Sequence, residues 1–414
     1  TKALSLMPSA VFYSNRAACY ANLGQPDKVI NDCNEALKLE PTYIKALNRR
    51  AVATEQLGEK SAANGAEGDR ARERLEQSLS DFTAVAILGQ FRDVNATASV
   101  ERVLRKLASG KAKMILSKRE PRLPSPTFVK AYLDAFRPKP APSIGDDAPQ
   151  GDQTLKRAFE ALEAQDYAHS LSFFQEALQQ GLSTKELEAA ALNMHGTYMF
   201  VMGEAKRALE DLDRSIELCP ENVQTWVKKA SVHVELGDKD AAMADFDRAV
   251  ALNADDPDIY YHRGQVHFIL GEFEAAMSDY SKSTSLDDTF IFSQVQHAVA
   301  SYKLGNIARS TAEFCRILKK FSDSSESYNY FGELMLDQQR HEDAVANFDK
   351  SIALEQAKPK GKNVLPMINK ALVLFQWKQD LSGAEQLCRD ALRIDPDCDV
   401  AIATLAQLSL QQSK

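Results

Sequence analysis

Apolar residues return along this chain at steps of three and four, the spacing that puts them on one stripe of an α-helix, and the stripes come in pairs. Each pair turns at a hydrophobic residue followed by a glycine. Leu23-Gly24 and Leu57-Gly58 lie 34 residues apart, and Met202-Gly203, Leu236-Gly237, Leu270-Gly271 and Leu304-Gly305 follow one another at the same interval. Five residues past the glycine comes a residue small enough for close helix approach: Val29, Ala208, Ala242, Ala276, Ser310. Four further on sits a larger core residue (Leu212, Phe246, Tyr280, Phe314), and three beyond that Ala36, Ser215, Ala249 or Ser283. Pro41, Pro220 and Pro396 close second helices, because proline cannot continue one. Two later pairs fit with Gly332, Ala344 and Phe348, and with Ala384, Cys388 and Ala391. The last requires a one-residue slip and an insertion around Lys358 to Lys362.

A period of 34 is the signature of tetratricopeptide (TPR) hairpins. One hairpin cannot bury its own stripe, so neighbours stack into a quasi-linear array. The expected fold is all-α, an α-solenoid superhelix of helix-hairpin repeats in two parts, with the first helix of each pair on the concave face.

After Gly58 the register fails for some ninety residues. A polar, small stretch with Ala62, Ala63, Asn64, Gly65 and Gly68 leads into helical spacing over 70–115, marked by Leu75, Leu79, Phe82, Val85 and Leu88. A short amphipathic run follows from Phe128 to Phe136. Pro138, Pro140, Pro142 and Pro149 then read as an extended, semi-rigid linker. These signals divide the chain into a first array at 1–58, a helical insert with a proline-rich linker at 59–150, and a second array at 151–414. Charge divides similarly. Residues 1–58 hold seven Lys/Arg against five Asp/Glu, and 59–153 hold sixteen against thirteen, so the remainder carries −13 of a total of −8. That acidic half reads either as a solvated convex surface or as an acidic groove for basic segments.

Composition excludes more than it selects. The 414 residues are 44% hydrophobic and 26% charged, ordinary for a globular protein. No apolar stretch is long enough to span a bilayer, and no signal-peptide pattern opens the chain. The six cysteines form no C-x-x-C pair, and Cys33 and Cys388 sit at buried repeat positions. His262 and His267, five apart on a helix, are poorly spaced for a metal. No phosphate-binding loop, metalloprotease motif or nucleophile elbow is present, so neither catalysis nor a cofactor is expected. Basic residues between Arg102 and Arg119 lack interleaved aromatics, which argues against nucleic acid. Ala3, Leu4 and Pro8 read as the tail of an earlier repeat, and 399–414 as the first helix of an unfinished one, so the chain is expected to be a piece of a longer protein.

Two sets of residues carry the expected binding. Lys45 and Arg49 share a helix face, and Asn15 precedes Arg49 by one repeat, so stacking would bring all three to one concave surface within ~10 Å. A fork, a point charge and a directed amide donor suit a carboxylate. On spacing alone, ordinary solvated helix charges fit equally well. In the second array the concave positions are Gln224, Lys228, Tyr261, His262, Gln265, Gln296, Asn329, Tyr330, Glu333, Asn369 and Lys370. Their polar and aromatic character suits loose recognition of many peptides, though each could equally be structural. Trp226 and Tyr260 read as packing residues.

The segments Tyr13-Ser-Asn-Arg-Ala-Ala-Cys-Tyr20 and Lys45-Ala-Leu-Asn-Arg49-Arg-Ala resemble the dicarboxylate-clamp TPR modules of chaperone cofactors. That resemblance implies that Asn15, Lys45 and Arg49 hold the terminal carboxylates of the Glu-Glu-Val-Asp tails of cytosolic heat-shock chaperones. Over the whole length the chain is similar to the TPR receptor subunit of the mitochondrial outer-membrane translocase, in a fungal-like form. The likeness is carried by Asp258-Ile-Tyr-Tyr-His-Arg-Gly-Gln-Val-His-Phe-Ile-Leu270, Ser327-Tyr-Asn-Tyr-Phe-Gly-Glu333, Asn363-Val-Leu-Pro-Met-Ile-Asn-Lys-Ala371 and the insert around Leu123 to Thr127. It implies a cytosol-facing import receptor whose clamp docks chaperones, whose second array receives preproteins, and whose partners include other translocase subunits. Membrane contact would come only through an anchor outside this sequence. Two other functions fit the repeats: a soluble co-chaperone or adaptor, and the scaffold of an enzyme whose catalytic domain follows residue 414.

Overall fold

The computed structural model describes residue 4, residues 7–63 and residues 68–412. Ala3, Asn64 and Gly65, used above to read the chain's start and its interruption, lie outside them. The chain forms two compact units, residues 1–120 and 121–414. Every regular element among the described residues is helical.

The first unit holds α1 (Ala10–Asn22), α2 (Pro26–Leu39), α3 (Ile44–Ala63), α4 (Gly68–Leu88) and α5 (Val94–Lys118). The α1/α2 hairpin turns at Gly24 with φ +66°, the left-handed conformation that glycine adopts without a Cβ penalty. Gly58 is different. The sequence marks it as a second turn, but α3 runs straight through it to Ala63. A Cβ at Gly58 would meet Leu75 Cγ of α4 at 3.0 Å, so the glycine serves helix contact and not chain reversal. Charges join the elongated hairpin. Arg50 forks onto Asp81 at 2.8 and 2.7 Å, and Glu55 accepts Arg102 at 2.9 and 2.8 Å and Lys106 at 2.7 Å. Phe82, Ala51 and Val103 pack as a small core between them.

The second unit begins with α6 (Pro126–Asp134), entered through the Ser125 cap and Pro126 at its first turn. Fourteen helices then pair as seven hairpins: α7 (Gln150–Glu163) with α8 (Tyr167–Gln180), α9 (Lys185–Val201) with α10 (Ala205–Leu218), α11 (Val223–Glu235) with α12 (Lys239–Leu252), α13 (Pro257–Ile269) with α14 (Phe273–Leu286), α15 (Ile291–Lys303) with α16 (Ile307–Lys320), α17 (Ser325–Asp337) with α18 (His341–Ala357), and α19 (Leu365–Val373) with α20 (Leu381–Ile394). Helix α21 (Asp399–Gln412) packs on α20.

Every one of these hairpins turns on one left-handed residue. Four are the glycines read from the sequence, Gly203, Gly237, Gly271 and Gly305; the other three are Gln165, Gln339 and Gln379, with φ of 62°, 60° and 55°. The glutamines pay about 1–2 kcal/mol for that conformation. They also hide their hairpins from a search for glycine, and α7/α8 goes unread in the sequence although Ser170, Phe174 and Ala177 follow Gln165 at the repeat's spacing. The one-residue slip near the end is a π turn at Leu374–Lys378. Ala371 stands eight residues before its left-handed turn residue, where Gly264 and Gly332 stand seven before theirs.

Close approach within a hairpin follows one rule. A small residue in the first helix faces a large buried one sixteen residues later: Ala158 and Phe174, Ala230 and Phe246, Gly264 and Tyr280, Ala298 and Phe314, Gly332 and Phe348. A Cβ on Gly332 would come within 2.6 Å of Phe348 Cε1. Alanine normally stabilises a helix over glycine by about 1 kcal/mol, but overpacking here costs about 1–3 kcal/mol. Gly332→Ala is therefore expected to destabilise the second unit by about 1–2 kcal/mol in denaturant titration. Restoration by Phe348→Leu would confirm the cause, and a stabilised single variant would refute it.

The proline-rich stretch is not a free linker. The division between units falls at Glu120/Pro121, thirty residues before the boundary the prolines suggest. Residues 123–144 belong to the second unit. Leu123, Val129, Leu133 and Ile144 join the core of α7–α10, while Tyr132 and Phe136 join that of α11–α13. At its start this segment reaches the last repeat, where Thr127 N donates to Asp395 Oδ2 at 3.1 Å, a buried bond. Missing amide donors make prolines compatible with an extended run whose hydrogen bonds come from elsewhere.

Candidate functional site

In the first unit, α3 carries both expected cations. Arg49 is half-buried, and its Nη1 crosses to α1 to donate to Ser14 O at 2.7 Å and Ser14 Oγ at 2.5 Å. That brings the guanidinium beside the residue preceding Asn15, which is exposed. Lys45, one turn earlier on α3, is exposed and pairs with no carboxylate among the described residues. Arg16 and Arg50 instead are fully engaged with Asp32 and Asp81. The unit thus separates structural arginines from a lysine and an arginine that no acid among the described residues neutralises.

In the second unit the expected residues fall into four groups. Around α17 and α19, Asn369 Nδ2 donates to Asn329 Oδ1 at 3.1 Å and Glu333 Oε1 at 2.8 Å, and Asn329 Nδ2 donates to Glu333 Oε1 at 2.7 Å. Surrounding protein pushes the Glu333 carboxyl above its usual range, although the side chain still meets solvent. Gln296 bonds the Tyr330 hydroxyl, whose pKa burial raises to about 12. Asn329, Tyr330 and Glu333, with Tyr261 and residues of α6, border a cavity of about 280 Å³, which Gln296 and Asn369 do not line. The second group, Tyr261 and His262, is buried. Gln265 donates to the Tyr261 hydroxyl at 3.1 Å, and Phe136 stacks on His262 at 4.1 Å between centroids. Burial drives the His262 imidazole down to about 3, with Arg137 adding to it, and its Nε2 has no partner among the described residues.

The third group, Gln224 and Lys228, lies on α11 at a larger cavity of about 920 Å³. Lys228 is 3% exposed. The fourth is Lys370 alone, which turns to α18 and pairs with Asp349 at 2.5 Å. It contributes to neither cavity. Trp226 and Tyr260 pack as expected, each with its polar atom on a backbone carbonyl, of Pro220 and Ala254.

Sequence reasoning missed the most consequential element. Residues 126–142 lie along the face built by the first helices. Arg137 Nη1 donates to Asp258 Oδ1 and its Nε to Asp287 Oδ2, both at 2.6 Å, and its guanidinium sits 4.1 Å from the Phe290 ring. The Phe128-to-Phe136 pattern announces an amphipathic helix, but not that its apolar face docks inside the array. Among the described residues no cluster of side chains has metal-ligand geometry, and no helix is long and apolar enough to cross a membrane.

Seven stacked hairpins with a polar-aromatic inner face define a tetratricopeptide-repeat scaffold. TPR family models match residues 10–43, 230–271 and 257–290. Across all of the chain and 69% of theirs, the human and mouse mitochondrial import receptor subunits TOM70 are 29% and 30% identical to it. The yeast TOM70 is 29% identical over 99% of the chain and 70% of its own, and its crystal structure superimposes with a TM-score of 0.66 and 28% identity over 99% and 83% of the two chains. The chain belongs to the TOM70 family. Equal identity to animal and yeast members gives no preference for a fungal form.

Proposed function

We propose that the chain is a protein import receptor of the mitochondrial outer membrane, facing the cytosol, which binds chaperone tails in its first unit and preproteins along the inner face of its second. The observation that carries this reading is the chain-long similarity to import receptor subunits named TOM70. For the first unit, Lys45 and the unbonded Nη2 and Nε of Arg49 supply donors for a carboxylate, and Asn15 a directed amide. For the second, the Asn329–Glu333–Asn369 network and the two cavities offer polar anchors between apolar walls, as a receptor for varied peptides needs. Other translocase subunits are the expected recipients of the cargo.

The test is a pull-down on a peptide ending Glu-Glu-Val-Asp, with the full-length protein. Arg49→Ala is expected to lower capture more than tenfold, the loss of a charge-assisted hydrogen bond, with the helical circular dichroism unchanged. Equal capture by variant and wild type would remove the clamp from this reading.

A further inference from the structure

Lysines are almost never fully buried without a partner of opposite charge. Lys228 is such an exception. Its Nζ donates to Asn193 Oδ1 at 2.7 Å, lies 3.7 Å from Met194 Sδ and sits 5.3 Å from the Phe136 ring. No carboxylate pairs with it among the described residues. The acid whose charge reaches it, Asp258, is taken by Arg137. Lys139, which repels it, is itself held by Asp256. Arg137 and His262 are further basic neighbours, and Glu163 lies exposed at the cavity rim. Asn193 does not wander, because its Nδ2 donates to Thr225 Oγ1 at 2.9 Å. Its carbonyl oxygen is thereby fixed toward the ammonium.

An ammonium has three donors. One is used well and one poorly, and both Lys228 and Asn193 line the cavity of about 920 Å³. The remaining walls include Phe159, Leu162, Tyr167, Phe290 and Phe292, together with two acids that are already paired, Asp134 with Lys130 and Glu326 with Lys358. A buried cation in the wall of this mixed cavity has no carboxylate of its own among the described residues, and at so desolvated a group an arriving anion is held strongly.

We propose that Lys228, positioned by Asn193, is a carboxylate-binding subsite, taking an acidic group of a peptide whose neighbouring residues are apolar. This rests on the reading of the inner face as the client surface and names one chemistry that surface selects. Without ligand, burial holds the ammonium down at about 7, so near neutrality half of it is uncharged. A bound carboxylate raises that value, and binding therefore takes up a proton from solution. Affinity falls as the pH rises from 7 toward 9, because the charged lysine must then be made at the expense of binding.

The experiment is titration calorimetry of the full chain with an apolar peptide carrying one internal Glu, its Gln counterpart, and versions ending in a free acid or an amide. It is run at pH 7.5 in two buffers of different ionisation enthalpy. Expected are binding at least about tenfold tighter for the acidic peptides, proton uptake in the wild type, and loss of both effects in Lys228→Met, with the Gln amide peptide binding both proteins alike. Whether the internal Glu or the free terminus confers the tightening identifies the source of the carboxylate. Equal affinity for acidic and neutral peptides, with no proton uptake, would overturn the subsite while leaving the client surface standing. No binding by any peptide would overturn both.

Discussion

Arg137→Ala is expected to destabilise the second unit by about 3–5 kcal/mol, the usual cost of deleting one partner of a buried ion pair. Asp258 is 2% exposed and takes both a guanidinium bond and the backbone amide of residue 137, the latter at 3.2 Å. Burial already pushes its carboxyl above the usual range despite Arg137. Without the arginine that carboxylate would be stranded or forced to take up a proton. Asp287 behaves oppositely. Burial raises its pKa, but hydrogen bonds from Thr289 and Arg137 outweigh this and hold it at about 2. A carboxyl with a depressed folded-state pKa contributes stability above its unfolded value, and that contribution disappears as pH falls toward 2. The wild type should therefore lose stability between about pH 4 and pH 2 through this group, and Arg137→Ala should lose less over the same interval. Denaturant titrations across that range measure both effects. A variant within 1 kcal/mol of wild type at pH 7 would mean that the pair is compensated from elsewhere.

Lys228→Met is expected to raise stability at pH 7 by about 2 kcal/mol, since a well-packed apolar residue commonly replaces a buried ion with gain. The lost bond to Asn193 offsets part of that gain. The pH dependence carries the sign. Above about 10.5 lysine is neutral folded or unfolded and costs nothing. As pH falls from there to about 7, the unfolded chain takes up a proton and the native one does not, so the wild type loses stability relative to the variant. Below 7 the difference is constant. Thermal melts of both proteins at pH 7 and pH 10 should therefore converge at the higher pH. A variant less stable at pH 7 would show that the ammonium is a structural support.

The repeat was legible because its determinants are local. A glycine at the turn, a small residue five later and a large one four beyond that follow from helix geometry alone, and Gly203, Gly237, Gly271 and Gly305 sit where that geometry requires. What escaped has equally physical reasons. Gln165, Gln339 and Gln379 carry no left-handed signature as residue types; stacking on both sides imposes it. Gly58 matched the period but faces Leu75 in mid-helix. Residues 126–142 looked like a helix and a linker because hydrophobic pattern says that a face is buried, never against what. Among the binding positions, spacing put Gln224, Lys228, Asn329, Glu333 and Asn369 on the inner face, yet could not foresee that Lys370 turns to Asp349 or that Phe136 covers His262.

An array whose repeats touch only their neighbours behaves as a soft spring: its pitch breathes, and its ends fray first. The rod formed by α6 changes those mechanics. Its Val129 and Leu133 sit in the core of the opening hairpins, and its Thr127 holds the turn that follows α20. One nine-residue helix thereby ties the opening hairpins to the turn after α20, a link that stacking between neighbours alone would not supply.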